Sequence, residues 1–90
     1  MPGPLSRAIS ARIRAVIAER LDVKQGAVAV ASGISKSQMS SILNDKKSFE
    51  LDQLDRVCFS LRLNLTNEIA AAEEALETRH AGPDAVAKRV

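Results

Sequence analysis

Lys36, Ser37, Ser40, Ser41 and Asn44 recur at the spacing that places side chains on one face of a helix. One ammonium, three hydroxyls and a carboxamide can donate to and accept from a polar partner. None of them stands beside a base that would activate it, so their chemistry is recognition. An ordinary solvated helix face carries Glu–Lys pairs, whereas these short groups let another backbone approach closely. No acidic residue occurs between Val23 and Asp45. Such a surface suits a phosphate-bearing partner. The plainer reading of the same residues is a merely soluble face.

The elements that must carry these groups are readable from periodicity and punctuation. Ser35 can N-cap a helix and Gln38, three residues on, can return a bond to the cap, an S-x-x-Q capping box. Met39, Ile42 and Leu43 then form the buried stripe of that helix, opposite the polar one. Before it, Gln25 to Ala31 reads as a short, small-residue helix, with Gly33 where its end requires a positive φ. A first helix is expected from about Leu5 to Arg20, with Leu5, Ile9, Ile13, Val16, Ile17 and Leu21 inward and Arg7, Arg12, Arg14 and Arg20 solvated, one or two of them at the partner's phosphates. Met1–Pro4 reads as a non-helical arm. After the polar turn Asn44–Ser48, a fourth helix of about Glu50 to Leu61 would bury Leu51, Leu54, Val57, Cys58 and Leu61. A fifth, capped by Thr66 or Asn67, would reach about His80, where Gly82-Pro83 would end it. Residues 85–90 are left as a short helix or a tail.

Composition agrees with an all-helical chain of one domain. Aromatics are 2% of 90 residues, so the core must be aliphatic. Charge is uneven: residues 1–48 hold eight basic and three acidic side chains, while residues 49–90 hold five basic and eight acidic ones. A basic half carrying a polar helix suits a polyanion, with the acidic half turned away. The lone Cys58 cannot close an internal disulfide and fits a reducing compartment. No apolar leader opens the chain, and the longest apolar run, Ala27–Ala31, is too short to span a bilayer. Catalysis and metal binding find little support. His80 has no Cys or carboxylate at ligand spacing, Cys58 sits on an apolar stripe, and Glu73, Glu74 and Glu77 lack a partner base.

With the helices placed, the chain resembles the Cro/CI-type (XRE) helix-turn-helix family of phage and bacterial regulators over about Ile9 to Ile69. Val23-Lys24-Gln25 stands for the family's helix-2 start, and Lys36 to Asp45 for its helix 3. Phe49-Glu50-Leu51-Asp52-Gln53-Leu54 and Leu61-Arg62-Leu63 follow at the family's spacing, without insertion. Ala29 and Gly33 fall on its small helix-2 residue and its turn glycine. Lys24 replaces the usual Thr or Ser cap and Gly26 follows Gln25, so the start of helix 2 is expected to fray. Asp45 replaces a glycine and must accept a turn conformation. Ala18 and Leu43 replace an Arg and a Glu that pair in many relatives.

The resemblance implies a compact, all-α, five-helix domain like that of the lambda repressor. It implies a sequence-specific regulator of double-stranded DNA, of repressor type, whose helix 3 enters the major groove. The DNA-contacting set it implies is Gln25, Ser35, Lys36, Ser37, Ser40, Ser41, Asn44, Lys46 and Lys47. Lys36 is the base reader and Gln25 a phosphate contact. Lys46 and Lys47 lie in the loop that straddles the backbone, or are simply solvated turn lysines. Pairing on a two-fold operator would use the C-terminal part, with Ile69, Leu76 and Val86 at the interface. No cofactor, metal, membrane or small-molecule ligand is expected, and residence on the cytoplasmic nucleoid is. A protein-interaction module on the same fold, an antitoxin or an antagonist of another regulator, is the competing reading.

Overall fold

The computed structural model describes residues 2–88, with side chains placed as far as residue 77. Five helices follow in order: α1 (Pro4–Glu19), α2 (Gln25–Ala31), α3 (Lys36–Leu43), α4 (Leu51–Ser60) and α5 (Leu65–Lys88). The described residues contain no strand.

The helix boundaries correct the sequence reading in four places, each for a local reason. Pro4 belongs to α1 and not to the arm, because proline's fixed φ suits the first turn, where its missing N–H has no intrahelical partner. The cap of α5 is Asn64, whose Oδ1 accepts the Asn67 N–H at 3.0 Å, one turn earlier than Thr66 or Asn67. The helix runs on through Gly82-Pro83 to Lys88, so the stop expected there does not occur. Helix-favouring segments, AAAEEALE before and DAVAK after, flank a pair that costs the helix one hydrogen bond. Finally, the reciprocal capping box forms at α4, where Glu50 donates its N–H to Gln53 Oε1 at 2.9 Å. At α3 only half of the expected box is made: Ser35 Oγ accepts the Gln38 N–H at 3.0 Å, and Gln38 is exposed.

Every helix contributes to one aliphatic core. Ile9 and Ile13 of α1, Val28 and Ala29 of α2, Met39 and Leu43 of α3, Leu54, Val57 and Cys58 of α4 and Ala72 of α5 are buried together with Ile34 and Leu61. Three residues expected inward are not. Leu5 is 39% exposed, because it lies in the first turn of α1, ahead of Ile9, the first core residue of that helix. Leu21 is fully exposed, because α1 stops at Glu19 and an extended Arg20 breaks the helical phase that would have turned Leu21 inward. Leu51 is 70% exposed, since it opens α4 one turn before the first buried residue of that helix, Leu54.

Three helices end in the same left-handed turn, and only one of the turns uses glycine. After α2, Gly33 has φ +68°, Gly33 N donates to the Val30 carbonyl and Ile34 N to that of Ala29. After α3, Asp45 takes φ 62° with the equivalent bonds from Asp45 N to Ile42 O and from Lys46 N to Ser41 O. After α4, Arg62 takes φ 59°, with Arg62 N bonded to Phe59 O and Leu63 N to Cys58 O. This double bond pattern satisfies carbonyls that the helix end leaves orphaned.

Candidate nucleic-acid interface

The turn after α2 fixes the site. Ser32–Ser35 joins α2 to α3 through Gly33, and buried Ile34 anchors the turn in the core. Ala29, fully buried, is small enough to let α2 lie close to its neighbours. Ser35 then starts α3 with its hydroxyl on the Gln38 N–H. Met39, Ile42 and Leu43, each at most 2% exposed, hold the opposite face of α3 to the core. The polar stripe therefore has one direction available, outward.

None of the nine residues expected to touch DNA is buried. Gln25, Ser35, Lys36, Ser37, Asn44, Lys46 and Lys47 are exposed, and Ser40 and Ser41 are half-buried. Gln25 opens α2, and Lys24 before it makes no side-chain cap, in keeping with the missing Thr or Ser. α2 nevertheless starts at Gln25, and the fraying expected from Gly26 is not seen. Asn44 caps the end of α3: its Nδ2 donates to the Ser40 carbonyl at 2.8 Å and to Ser40 Oγ at 3.3 Å. Its amide protons and the Ser40 hydroxyl are thus engaged with each other in the free protein.

The starts of α2 and α3 are brought against each other. A Cβ placed on Gly26 would lie 3.3 Å from Lys36 Cε, 3.7 Å from its Cδ and 3.8 Å from its Nζ. The lysine stem therefore runs across the first turn of α2, and the ammonium is delivered to the end of the site where Gln25 and Lys24 stand. The sequence reading took Gly26 only as a helix-weakening residue and passed over Lys24 as a surface cation. A glycine in the first turn of a short helix, two residues after Lys24, was the signal available.

The arginines of α1 behave differently from the expected solvated set. Arg12 Nε pairs with Glu68 Oε1 of α5 at 2.9 Å. Arg14 Nη1 donates to the carbonyl of Leu43, the last residue of α3. Arg20 Nη1 donates to the carbonyl of Leu61 after α4 at 2.6 Å. Two of these cations thus sit where orphan carbonyls and the helix dipole favour positive charge. They hold the bundle together; Arg7 alone of the four makes no such bond and is exposed.

A family model described as a Cro/C1-type HTH DNA-binding domain matches residues 12–69, which take in α1 from Arg12, the whole of α2, α3 and α4, and the start of α5. The chain belongs to this family. No curated protein and no solved structure matches it. As a Cro/C1-type domain it is a DNA-binding unit, and α2, the Gly33 turn and α3 are its helix-turn-helix. Leu43, at one of the two apolar replacements, is in the core, whereas Ala18 is exposed.

The remaining candidate residues fall outside this face. Ile69 is half-buried and packs on the chain's own core. Leu76, half-buried, lines a groove between α1 and α5 with Ala8, Ala11, Ala15 and Val16. Val86, like His80 and Val90, lies outside the residues whose side chains are described. Cys58 is buried, and desolvation, with smaller contributions from Glu68 and Asp55, pushes its thiol up to about 11. Thiolate, the reactive form, is therefore scarce near neutrality. Among the described residues no group of three or more His, Cys, Asp or Glu could hold a metal ion, and no helix is long and apolar enough to cross a membrane.

Proposed function

We propose that this chain is a sequence-specific regulator of transcription that represses by occupying promoter DNA and excluding polymerase, in the manner of phage and mobile-element repressors. The observation that carries the reading is the helix-turn-helix face. Exposed Lys24 and Lys36, in a stretch without acidic residues between Val23 and Asp45, and exposed Lys46 and Lys47 just after it frame a stripe of small hydrogen-bonding side chains, and the other side of α3 is locked into the core. Cations at the rim neutralise phosphates, while Lys36, Ser37, Ser40 and Ser41 address base edges in the major groove. Asn44 and Ser35 hold the two ends of the reading helix, and Gln25 meets the backbone from the start of α2. Residence on the cytoplasmic nucleoid goes with this function.

A single reading helix covers few base pairs, so the protein binds as a two-fold dimer on half-sites about 34 Å apart. Its C-terminal segment makes the pairing surface, with Leu76 and the length of α5 beyond Ala72 as the available element. Exposed Glu73 and Glu74 keep that helix from phosphate. Selection of bound sequences from a random duplex pool, followed by binding to the winner, tests the reading directly. A palindromic preference with two chains per duplex is the expected result; a monomer bound alone to a full palindrome contradicts the dimer.

One observation favours a second reading. Phe59 is 85% exposed on α4, with Ala31, Ser60, Arg62 and Leu63 lining the hollow beside it. An exposed aromatic of this kind suits a protein partner. A salt-dependent gel shift on random duplex separates the two readings, because an interaction-only module gives none.

A further inference from the structure

Gly26 has no conformational reason to be glycine. It sits in the first turn of α2, and its φ lies outside the positive region that Gly33 occupies. In a helix, glycine is less favourable than alanine, since it loses more backbone freedom on folding. What the missing side chain supplies is room. The Lys36 stem crosses the bare backbone there, and a Cβ 3.3 Å from Cε would be tighter than ordinary van der Waals contact. Lys36 is the first residue of the reading helix, and within α3 it is the sole charged one. A side chain at position 26 would therefore press on this stem, which would have to give by a few tenths of an ångström.

We propose that Gly26 is a specificity-determining position of the DNA site: by leaving the lysine stem its path across α2, it sets the angle at which Lys36 reaches its base pair. A methyl group at position 26 leaves the charge in place and displaces only its route. Total affinity for random duplex therefore changes little, while preference at one base pair changes. The inference rests on the proposed DNA reading and adds to it a residue that itself touches no DNA.

The test is a double-mutant cycle on the full chain, comparing the parent, Gly26→Ala, Lys36→Ala and the double variant. Each is titrated with the selected best site, its single-base-pair variants and random duplex. In the parent background, Gly26→Ala should change discrimination at one base pair by about fivefold and random-duplex affinity by less than about twofold. With Lys36 already alanine, the same substitution should change nothing beyond about twofold. Melting curves should show Gly26→Ala at least as stable as the parent, so a folding defect cannot imitate the effect. Gly26→Ser, which adds a similar bulk, should repeat the shift. Unchanged discrimination in Gly26→Ala, or a full-sized effect that persists without Lys36, overturns the inference. A parent protein that selects no sequence overturns the regulator reading and this inference with it, whereas additive effects in a selective parent overturn this inference alone.

Discussion

The positive charge of the first half divides into two populations that do opposite things. Three of the four arginines in and just after α1 bond within the protein: Arg12 to Glu68, Arg14 to the end of α3 and Arg20 to the end of α4. Lys24 before α2, Lys36 of α3 and Lys46 and Lys47 of the following loop are exposed, and none of them makes an internal ion pair within 4 Å among the described residues. The division follows side-chain chemistry. A guanidinium presents a planar fork of donors that can satisfy carbonyls and a carboxylate at fixed angles, while an ammonium on a flexible stem suits a moving, hydrated contact such as phosphate. Counting basic residues would have credited all of them to the polyanion; the structure commits Arg12, Arg14 and Arg20 to cohesion.

The largest effect should come from breaking the internal set. Glu68 is 7% exposed, so Arg12→Ala leaves a nearly buried carboxylate without its cation and should cost about 2–3 kcal/mol of stability. Urea denaturation measures it, and the salt dependence of DNA binding by the folded variant should stay as in the parent. A flattened salt slope would instead put Arg12 at phosphate and erase the division.

The lysine side of the comparison predicts the reverse pattern. Lys36→Ala should weaken the best site by about 1–3 kcal/mol and relax preference at one base pair, with little change in unfolding. An equal loss on every sequence would make Lys36 a phosphate contact. Replacing Lys46 and Lys47 together should weaken specific and random duplex alike and flatten the log K against log[salt] slope by roughly 1–2. An unaltered slope would leave both as solvated turn residues.

A smaller effect sharpens the cohesive side at the end of α4. Arg62 holds φ 59°, a conformation that costs a residue with a Cβ about 1–2 kcal/mol relative to glycine, so Arg62→Gly should stabilise the fold by about 1 kcal/mol. Thermal unfolding checks the sign; a loss would show that the Arg62 side chain contributes more than its backbone strain.

The smallest effect is on pH. Burial, with smaller contributions from Glu68 and Asp55, raises the Cys58 thiol from 9.0 to about 11. A raised folded value favours the protonated native state, so this contribution is complete below pH 9.0 and is lost as pH rises through about 11. Between those limits the parent should lose stability more steeply than Cys58→Ala, measured as the difference between paired urea titrations. Parallel curves would mean that burial does not hold the thiol neutral.

What the sequence determined by itself was everything with a period or a fixed local cost. Five helices, the buried stripe Met39–Ile42–Leu43, the glycine turn at Gly33 and the left-handed Asp45 all follow from 3.6-residue spacing and backbone sterics, which neighbours in space seldom override. The family match over residues 12–69 takes in the buried stripe, the Gly33 turn and Asp45. The tertiary structure decided the rest. The four arginines in and just after α1 look alike along the chain, and only the ends of α3 and α4 and the nearby Glu68 distinguish Arg12, Arg14 and Arg20 from Arg7. Leu21 and Leu51 carry the right periodicity and still face solvent, because burial depends on another helix being present at that height. Gly26 reads as a flaw in α2 until Lys36, ten positions away, is laid across it. Spacing encodes which face a residue takes, but what stands opposite that face exists only once the helices pack.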